Sequence, residues 1–326
     1  MLCYASHIAH HSIAMAASTP TLPTGLQFVE RGWLSANNTV FTVRPGQPGV
    51  TAVVDTGYCT HAEQTVALVD AALQGAPLAR IVNTHLHSDH CGGNAALQQR
   101  WPQARTSIAP GHAQAVRDWD EAQLSYRPTG QDCPRFRVDD VLQPGTDTPL
   151  GEQRWQIHAA PGHDPHSVIL FEPQTRTLIS ADALWENGFG VVFPEIEGIA
   201  AFDEVAATLD VIEQLRPALV LPGHGSVFTD VDAALATARR RLEGFASNPT
   251  RHALYAAKVL LKYKLLEWQQ LPLATVTAWL AATPYYGVLH QRYFADQPVA
   301  DWHASLVADL ERSGAAQRQG DLLVNL

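Results

Sequence analysis

Apolar and polar residues alternate over residues 26–30, 39–43 and 51–55, the two-residue period of half-buried strands. Polar turns at Ala36-Asn37-Asn38 and Pro45-Gly46-Gln47-Pro48-Gly49 separate these runs, so the pattern predicts an antiparallel opening sheet. A helical period over 61–73 then leads into a strand at 79–83, and a helix at 93–100 precedes a strand near 106–109. Strands return between 141 and 182, at 153–159, 167–171 and 177–180, followed by a helix at 202–215 and a strand at 218–221. Two sheet-rich halves, each closing in α/β units, predict an α/β fold in which sheets pack face to face with helices outside, an αββα sandwich. Residues 120–140 have no clear period and read as a long loop of the kind that borders a site.

Beyond Phe245 the texture changes to helices at 252–269, 273–281 and 299–312, then a turn at Arg318-Gln319-Gly320-Asp321 and a terminal apolar run. Three helices and a short hairpin form a winged-helix-like pattern. The chain therefore divides into a disordered tail at 1–20, a catalytic domain at 21–244 and a small helical domain at 245–326. The opening MLCYASHIAHHSIAMAAS lacks the positive start and unbroken apolar core of a secretory signal, and the only methionines are Met1 and Met15, so the first fourteen residues are expected to be an extension outside the fold.

The 326 residues, 46% hydrophobic and 17% charged, suit a large catalytic core with an appended module, and no run approaches the roughly 20 apolar residues of a membrane-spanning helix. A soluble protein without membrane contact is expected. The formal charge of −10 argues against a protein that grips nucleic acid, because such proteins carry a basic face. Cys3, Cys59, Cys91 and Cys133 form no CxxC pair and are too sparse for a disulfide-stapled domain, which points to the cytoplasm.

The predicted strand at 79–83 runs straight into His85-Leu86-His87-Ser88-Asp89-His90, followed by Cys91-Gly92-Gly93-Asn94. Four ligand-type side chains within six residues, at a strand end before a glycine-opened helix, can converge on metal because a loop lets alternate side chains point the same way. His163, Asp182 and His224 each follow a predicted strand as well, which places all of them at one edge of the sandwich.

As an ordered set, with Asp55-Thr56-Gly57 upstream, these motifs resemble the metallo-β-lactamase superfamily over residues 26–229. The resemblance implies one divalent metal ion held by His85, His87 and His163, a second held by Asp89, His90 and His224, and Asp182 bridging the two. It also implies that Asp55 supports the ligand loop without binding metal. Imidazole and carboxylate donors make zinc the expected ion, with iron or manganese accepted by the same set. Water on zinc loses a proton with a pKa near 7, against about 15.7 in bulk, so a metal-bound hydroxide is the expected nucleophile. Asp89 is the expected catalytic residue, orienting that hydroxide or carrying its proton.

Departures from particular subfamilies narrow the expectation. Asp182 stands where a broad-spectrum zinc β-lactamase has cysteine, and Ala183-Leu184-Trp185-Glu186-Asn187-Gly188 does not match the cysteine- and arginine-containing segment of glyoxalase II. A small-molecule hydrolase acting on a thioester, lactone or related ester is the leading expectation. A nuclease acting on phosphodiesters and an iron-dependent oxidoreductase are the alternatives. The helix at 299–312 carries Asp301, Asp309 and Glu311 against Arg312 alone, the wrong balance for facing phosphates, so the C-terminal region is expected to be a lid or a homodimer contact. Cys91 is expected to pack beneath the ligand loop, and Arg239-Arg240-Arg241 with Lys258, Lys262 and Lys264 to be solvated helix faces that could meet an anionic tail. Trp185, Phe189, Tyr285 and Tyr286 are candidate pocket walls, and His166 a candidate further imidazole.

Overall fold

The structure, a computed structural model, describes residues 20–326; the expected tail up to residue 19, with Cys3 and Met15, lies outside the described residues. Two sheets face each other. The first runs in the order β1 (Leu26–Val29), β2 (Asn38–Phe41), β3 (Ala52–Val54), β4 (Arg80–Val82), β5 (Arg105–Ile108) and β6 (Asp140–Val141). Its first three strands are antiparallel and its last three join in parallel. The second is built from β7 (Asp147–Leu150), β8 (Gln153–Ala159), β9 (Val168–Glu172), β10 (Thr177–Ala181) and β11 (Leu219–Pro222), again antiparallel until a final parallel pair.

Alternation explains the layering. Phe41, Val54 and Val82 from one sheet meet Trp155, Ile157, Leu170, Ile179 and Leu221 from the other in a buried layer between the sheets. The intervening residues Val40, Val53 and Ile81 face outward onto Val69, Leu73 and Leu97 of the helices Ala62–Leu73 and Asn94–Arg100. On the opposite outer face, Ile169, Phe171, Leu178 and Val220 are covered by Leu209 and Ile212 of Phe202–Leu215 and by Leu235 and Leu242 of Val231–Ala246. A strand buried on both faces needs apolar residues at nearly every position, which is why β9 and β10 are buried throughout. The α/β sandwich read from periodicity is the observed fold.

The C-terminal region holds four helices, not three: Pro249–Trp268, Leu273–Ala282, Pro284–Tyr293 and Val299–Arg312. The helix at 284–293 mixes aromatic and polar residues without a clear stripe, and Pro284 at its first turn is its one sequence signal. The helix Val231–Ala246 is a further addition to the expected elements, and Asp230 caps it by accepting the Ala233 N–H at 3.1 Å. A short strand β12 (Gln270–Pro272) precedes the predicted hairpin, which forms as β13 (Ala316–Gln319) and β14 (Leu322–Asn325), and β12 pairs along β14 as a third strand. The predicted loop at 120–140 contains a helical turn, Tyr126–Thr129. No helix among the described residues is long and apolar enough to cross a membrane.

Candidate metal centre

The parallel strands carry their chemistry at their C-terminal ends. Asp55 follows β3, His85 follows β4, Asp182 follows β10 and His224 follows β11, while His163 comes from the loop after β8. The segment from His87 to His90 turns into the short helix Ser88–Cys91, which swings Asp89 and His90 to the same edge. Backbone geometry aims two of the carboxylates. Asp55 sits at φ 56°, a left-handed conformation that aspartate tolerates. A register shift between Ile179 and Ala181 breaks the alternation of β10 just before Asp182, re-aiming that side chain into the site.

The structure brings all seven predicted ligand residues together. The ligand-type atoms of His85, His87 and His163 lie within 4.8 Å of one another, as do those of Asp89, His90 and His224. Asp182 stands between the trios. Its Oδ2 lies 3.4 Å from His163 Nε2, and its Oδ1 lies 3.4 Å from His90 Nε2 and 3.9 Å from His224 Nε2. Asp89 Oδ2 lies 3.1 Å from His224 Nε2 and 3.8 Å from His90 Nε2.

Hydrogen bonds behind the rings determine which nitrogen faces inward. His90 Nδ1 donates to Asp55 Oδ2 at 2.8 Å, and His163 Nδ1 donates to the Val191 carbonyl at 2.5 Å, so each ring turns Nε2 toward the centre. Asp55 is itself held by the Thr84 N–H at 3.0 Å and the Thr84 hydroxyl at 2.8 Å. It is a loop-holding carboxylate.

The donor set fits metal on the structure's own terms. His85 Nε2 and His90 Nε2 are buried with no hydrogen-bond partner, the condition of a ring nitrogen waiting for a Lewis acid. His87 Nδ1 meets His163 Nε2 at 2.8 Å, a pairing that the Val191 bond leaves with a bare lone pair on the His163 side. Burial, reinforced by neighbouring imidazoles, pushes His85 well below the usual histidine value, and burial with His163 brings His87 to about 4. Both rings are therefore neutral at neutral pH, the form in which an imidazole can bind metal. Burial opposes a charge on His90, but the carboxylates of Asp182, Asp55 and Asp89 outweigh it and hold its pKa well above the usual value. That anionic pocket demands positive charge, which a proton or a cation can supply.

Close packing protects the arrangement. A β-carbon at Gly223 would lie 2.3 Å from Asp182 Oδ1, and one at Gly190 would lie 2.4 Å from His163 Nδ1. Cys91 is buried beneath the loop, its thiol directed at the His87 carbonyl at 3.3 Å and beside the Tyr126 hydroxyl at 3.1 Å, as expected of a packing residue.

The residues match the metallo-beta-lactamase superfamily model over 31–224. The chain belongs to that superfamily. Among its relatives, a hydroxyacylglutathione hydrolase of Thermosynechococcus vestitus is 29% identical over 221 residues, which cover 68% of this chain and 73% of the relative. A hydroxyacylglutathione hydrolase of Trichormus variabilis is 30% identical over 163 residues, covering 48% of this chain and about half, 54%, of its own length. Among solved structures, a metallo-beta-lactamase family protein from Thermus thermophilus aligns with 94% of this chain and 100% of its own at a TM-score of 0.53 and 19% identity, a likeness of fold. The superfamily is one of metallo-hydrolases whose members bind divalent metals, and this member keeps a histidine and aspartate cluster at the expected edge.

A cavity of about 660 Å³ opens above the superfamily site. Its floor includes His87, Asp89, His163, Asp182 and His224, and its walls include Ser125, Thr129 and Gln131 from the segment read as a bordering loop. Trp185 lines it, donating its indole N–H to Asp182 Oδ1 at 3.3 Å. Two of the other aromatic expectations, Phe189 and Tyr286, are corrected: they are core residues, 1% and 0% exposed. Tyr285 does line a cavity, one of about 180 Å³ that shares His87 with the first. His166 packs edge-on against His112 at 4.6 Å and joins neither ligand trio. Lys264 is also not a solvated residue: it is buried and paired with Glu267 at 2.7 Å.

Trp33 is a site residue that sequence reasoning missed. It is 54% exposed and stacks parallel on His224 at 5.2 Å, with Trp185 edge-on to it at 5.3 Å. Nothing in its local sequence marks it, because the contact depends on the fold bringing residues 33 and 224 together.

Proposed function

We propose that the protein is a hydrolase with two metal ions that cleaves an ester-like bond of a small molecule, with thioesters first among the candidates. The observation that carries this reading is the position of Asp182, one carboxylate oxygen turned to His163 and the other to His90 and His224. His85, His87 and His163 would hold one ion, Asp89, His90 and His224 the second, and Asp182 would bridge them. The nitrogen and oxygen donors favour zinc and admit iron or manganese. Such a pair supplies Lewis acidity and makes hydroxide available at neutral pH.

The chain's own residues do the rest. Asp55 keeps His90 in the tautomer with Nε2 free, and Val191 does the same for His163. Asp89 reaches the cavity and lies 3.1 Å from His224, where its carboxylate can hold or pass a proton. Trp33 and Trp185 shield the His224 side from water. Thioesters rank above lactones because both curated relatives named above are hydroxyacylglutathione hydrolases. The acidic helix Val299–Arg312 supports a small molecule over nucleic acid.

Hydrolysis assays across thioesters, lactones and phosphodiesters with defined metals test the proposal. Metal-dependent thioester turnover is expected, lost by at least about 100-fold in His87→Ala and Asp182→Ala with the fold retained. A metal-free sample that keeps its full rate overturns it. Asp89→Asn separates two roles: loss of bound metal marks Asp89 as a ligand first, and retained metal with lost turnover marks the proton role.

A further inference from the structure

Three cationic side chains, Arg241, Lys258 and Lys262, line the same cavity as the metal centre. Two are already engaged. Lys262 directs its ammonium at the Ala315 carbonyl, Asn325 Oδ1 and the Leu326 carbonyl at 2.6–2.7 Å, and Lys258 lies 3.5 Å from Asp309. Arg241 differs. It has no carboxylate partner among the described residues, and its one hydrogen bond is a long 3.4 Å contact from Nη1 to the Asn187 carbonyl.

The position is nonetheless built. The guanidinium lies 4.5 Å over Tyr255, 5.4 Å from Phe245 and 5.5 Å from Phe189, so aromatic faces on three sides restrict its plane. The turn beside it is cleared of side chain: Gly188 stands at φ 126°, and a β-carbon there would lie 2.7 Å from Arg241 Nη1. Its neighbour Arg239 turns away to Asp210 and Glu213, at 2.8 and 3.0 Å, so the three-arginine run does not act as one solvated face. A planar fork held by ring faces, with most of its N–H groups uncommitted, is suited to bidentate contact with an anion.

The cavity that Arg241 shares with the ligand cluster has apolar lining as well, including Val191, Phe193, Val259 and Leu260, with Phe193 against His87 at 4.7 Å and Val259 one helical turn beyond Tyr255. We infer that the substrate carries an anionic group, carboxylate or phosphate, received by Arg241 and joined by an apolar span to the ester-like carbonyl at the metal centre. This inference rests on the hydrolase reading for its second half only. Arg241 is then a specificity residue that sets which esters are held, not one that acts on the bond.

The test uses S-ethyl thioesters of linear dicarboxylic acids of graded length, each with its free terminus as carboxylate, phosphonate or neutral carboxamide. Their methyl ketone isosteres, which cannot be cleaved, are measured in parallel by calorimetry on the metal-loaded full chain. The expected result is that one anionic series binds about 10-fold or more tighter than the carboxamide series, with the difference appearing in KM and not in kcat. Arg241→Met erases that preference, Arg241→Lys restores part of it, and the control Arg239→Met leaves it in place. Whichever anion is favoured names the group. Equal binding of charged and neutral probes, or a preference that survives Arg241→Met because the anion sits on the metal, overturns the inference. Ketone binding that shows the preference while no thioester is cleaved would sink the hydrolase reading and leave the anion site standing.

Discussion

His252 illustrates how one buried side chain ties the fold to pH. Its Nε2 accepts the Val192 N–H at 3.1 Å, so the ring must be neutral when folded, and it packs against Phe202 and Phe245 at 5.4 and 4.9 Å. Burial, with a smaller contribution from Arg241, lowers its pKa from 6.5 to about 4. Between those values the unfolded chain binds more protons than the folded one, so this contribution is complete above about pH 6.5 and is lost as pH falls toward 4. His252→Gln keeps an acceptor but removes the titration. Urea unfolding near pH 7 and near pH 5 should show the native chain losing about 2 kcal/mol more than the variant over that interval. Equal losses would place the charge-free ring elsewhere than in the stability of the 191–193 segment. That segment matters because the Val191 carbonyl, one residue away, orients His163.

At the level of elements, the candidate metal centre depends on strand ends and the tight turns that follow them. The turn after β11 passes so close to Asp182 that only glycine fits at 223, where a β-carbon would stand 2.3 Å from Oδ1 and 3.0 Å from His90 Cε1. Gly223→Ala should therefore displace the Asp182 carboxylate first, with a smaller strain on the end of β10 at Ala181, whose backbone carbon would lie 3.0 Å from the new β-carbon. Metal analysis should show at least one ion lost and turnover down by about 100-fold or more, with far-UV circular dichroism unchanged. Full metal content would mean that the carboxylate has room to move. The same elements show what was readable beforehand. Strands with a two-residue period and the ligand run 85–90 declared both the sandwich and its rim, because burial on defined faces writes itself into alternation. Helix Pro284–Tyr293 did not, since its core residues Tyr285, Tyr286 and Leu289 follow no lasting stripe. For another reason, Trp33 was illegible as a site residue, and Arg241 was legible only as part of a three-arginine run that could meet an anionic tail. Their partners, His224, Tyr255 and Asn187, come from other elements of the chain, and only folding brings them together.

For the whole molecule, the ligand cluster joins halves that are otherwise held by side-chain packing and a few backbone hydrogen bonds, such as Val50 with Gly151 and the Val168 N–H to the Thr84 carbonyl. His85, His87, Asp89 and His90 belong to the first sheet's strand ends, whereas His163, Asp182 and His224 belong to the second's. Each proposed ion draws on both sheets, so binding should act as a staple across the sandwich. The C-terminal helices extend the connection, because Val191 and Ile196 lie in their core and Val191 also anchors His163. Without cations, the two carboxylates and five imidazoles of the cluster crowd together largely out of water, an arrangement that costs free energy unless protons or ions fill it. A ligand that binds only the folded state stabilises it by about 4 kcal/mol at a thousandfold excess over its Kd, which for a chain of this size is roughly 6 °C. Chelator-treated protein should therefore melt lower than zinc-loaded protein by about that amount, and re-addition of zinc should restore it. In His87→Ala the zinc-dependent rise should shrink, and in Arg241→Met it should remain whole, because that side chain faces the substrate's far end. Identical melting of loaded and chelated wild type would mean that the rim of the two sheets closes without metal.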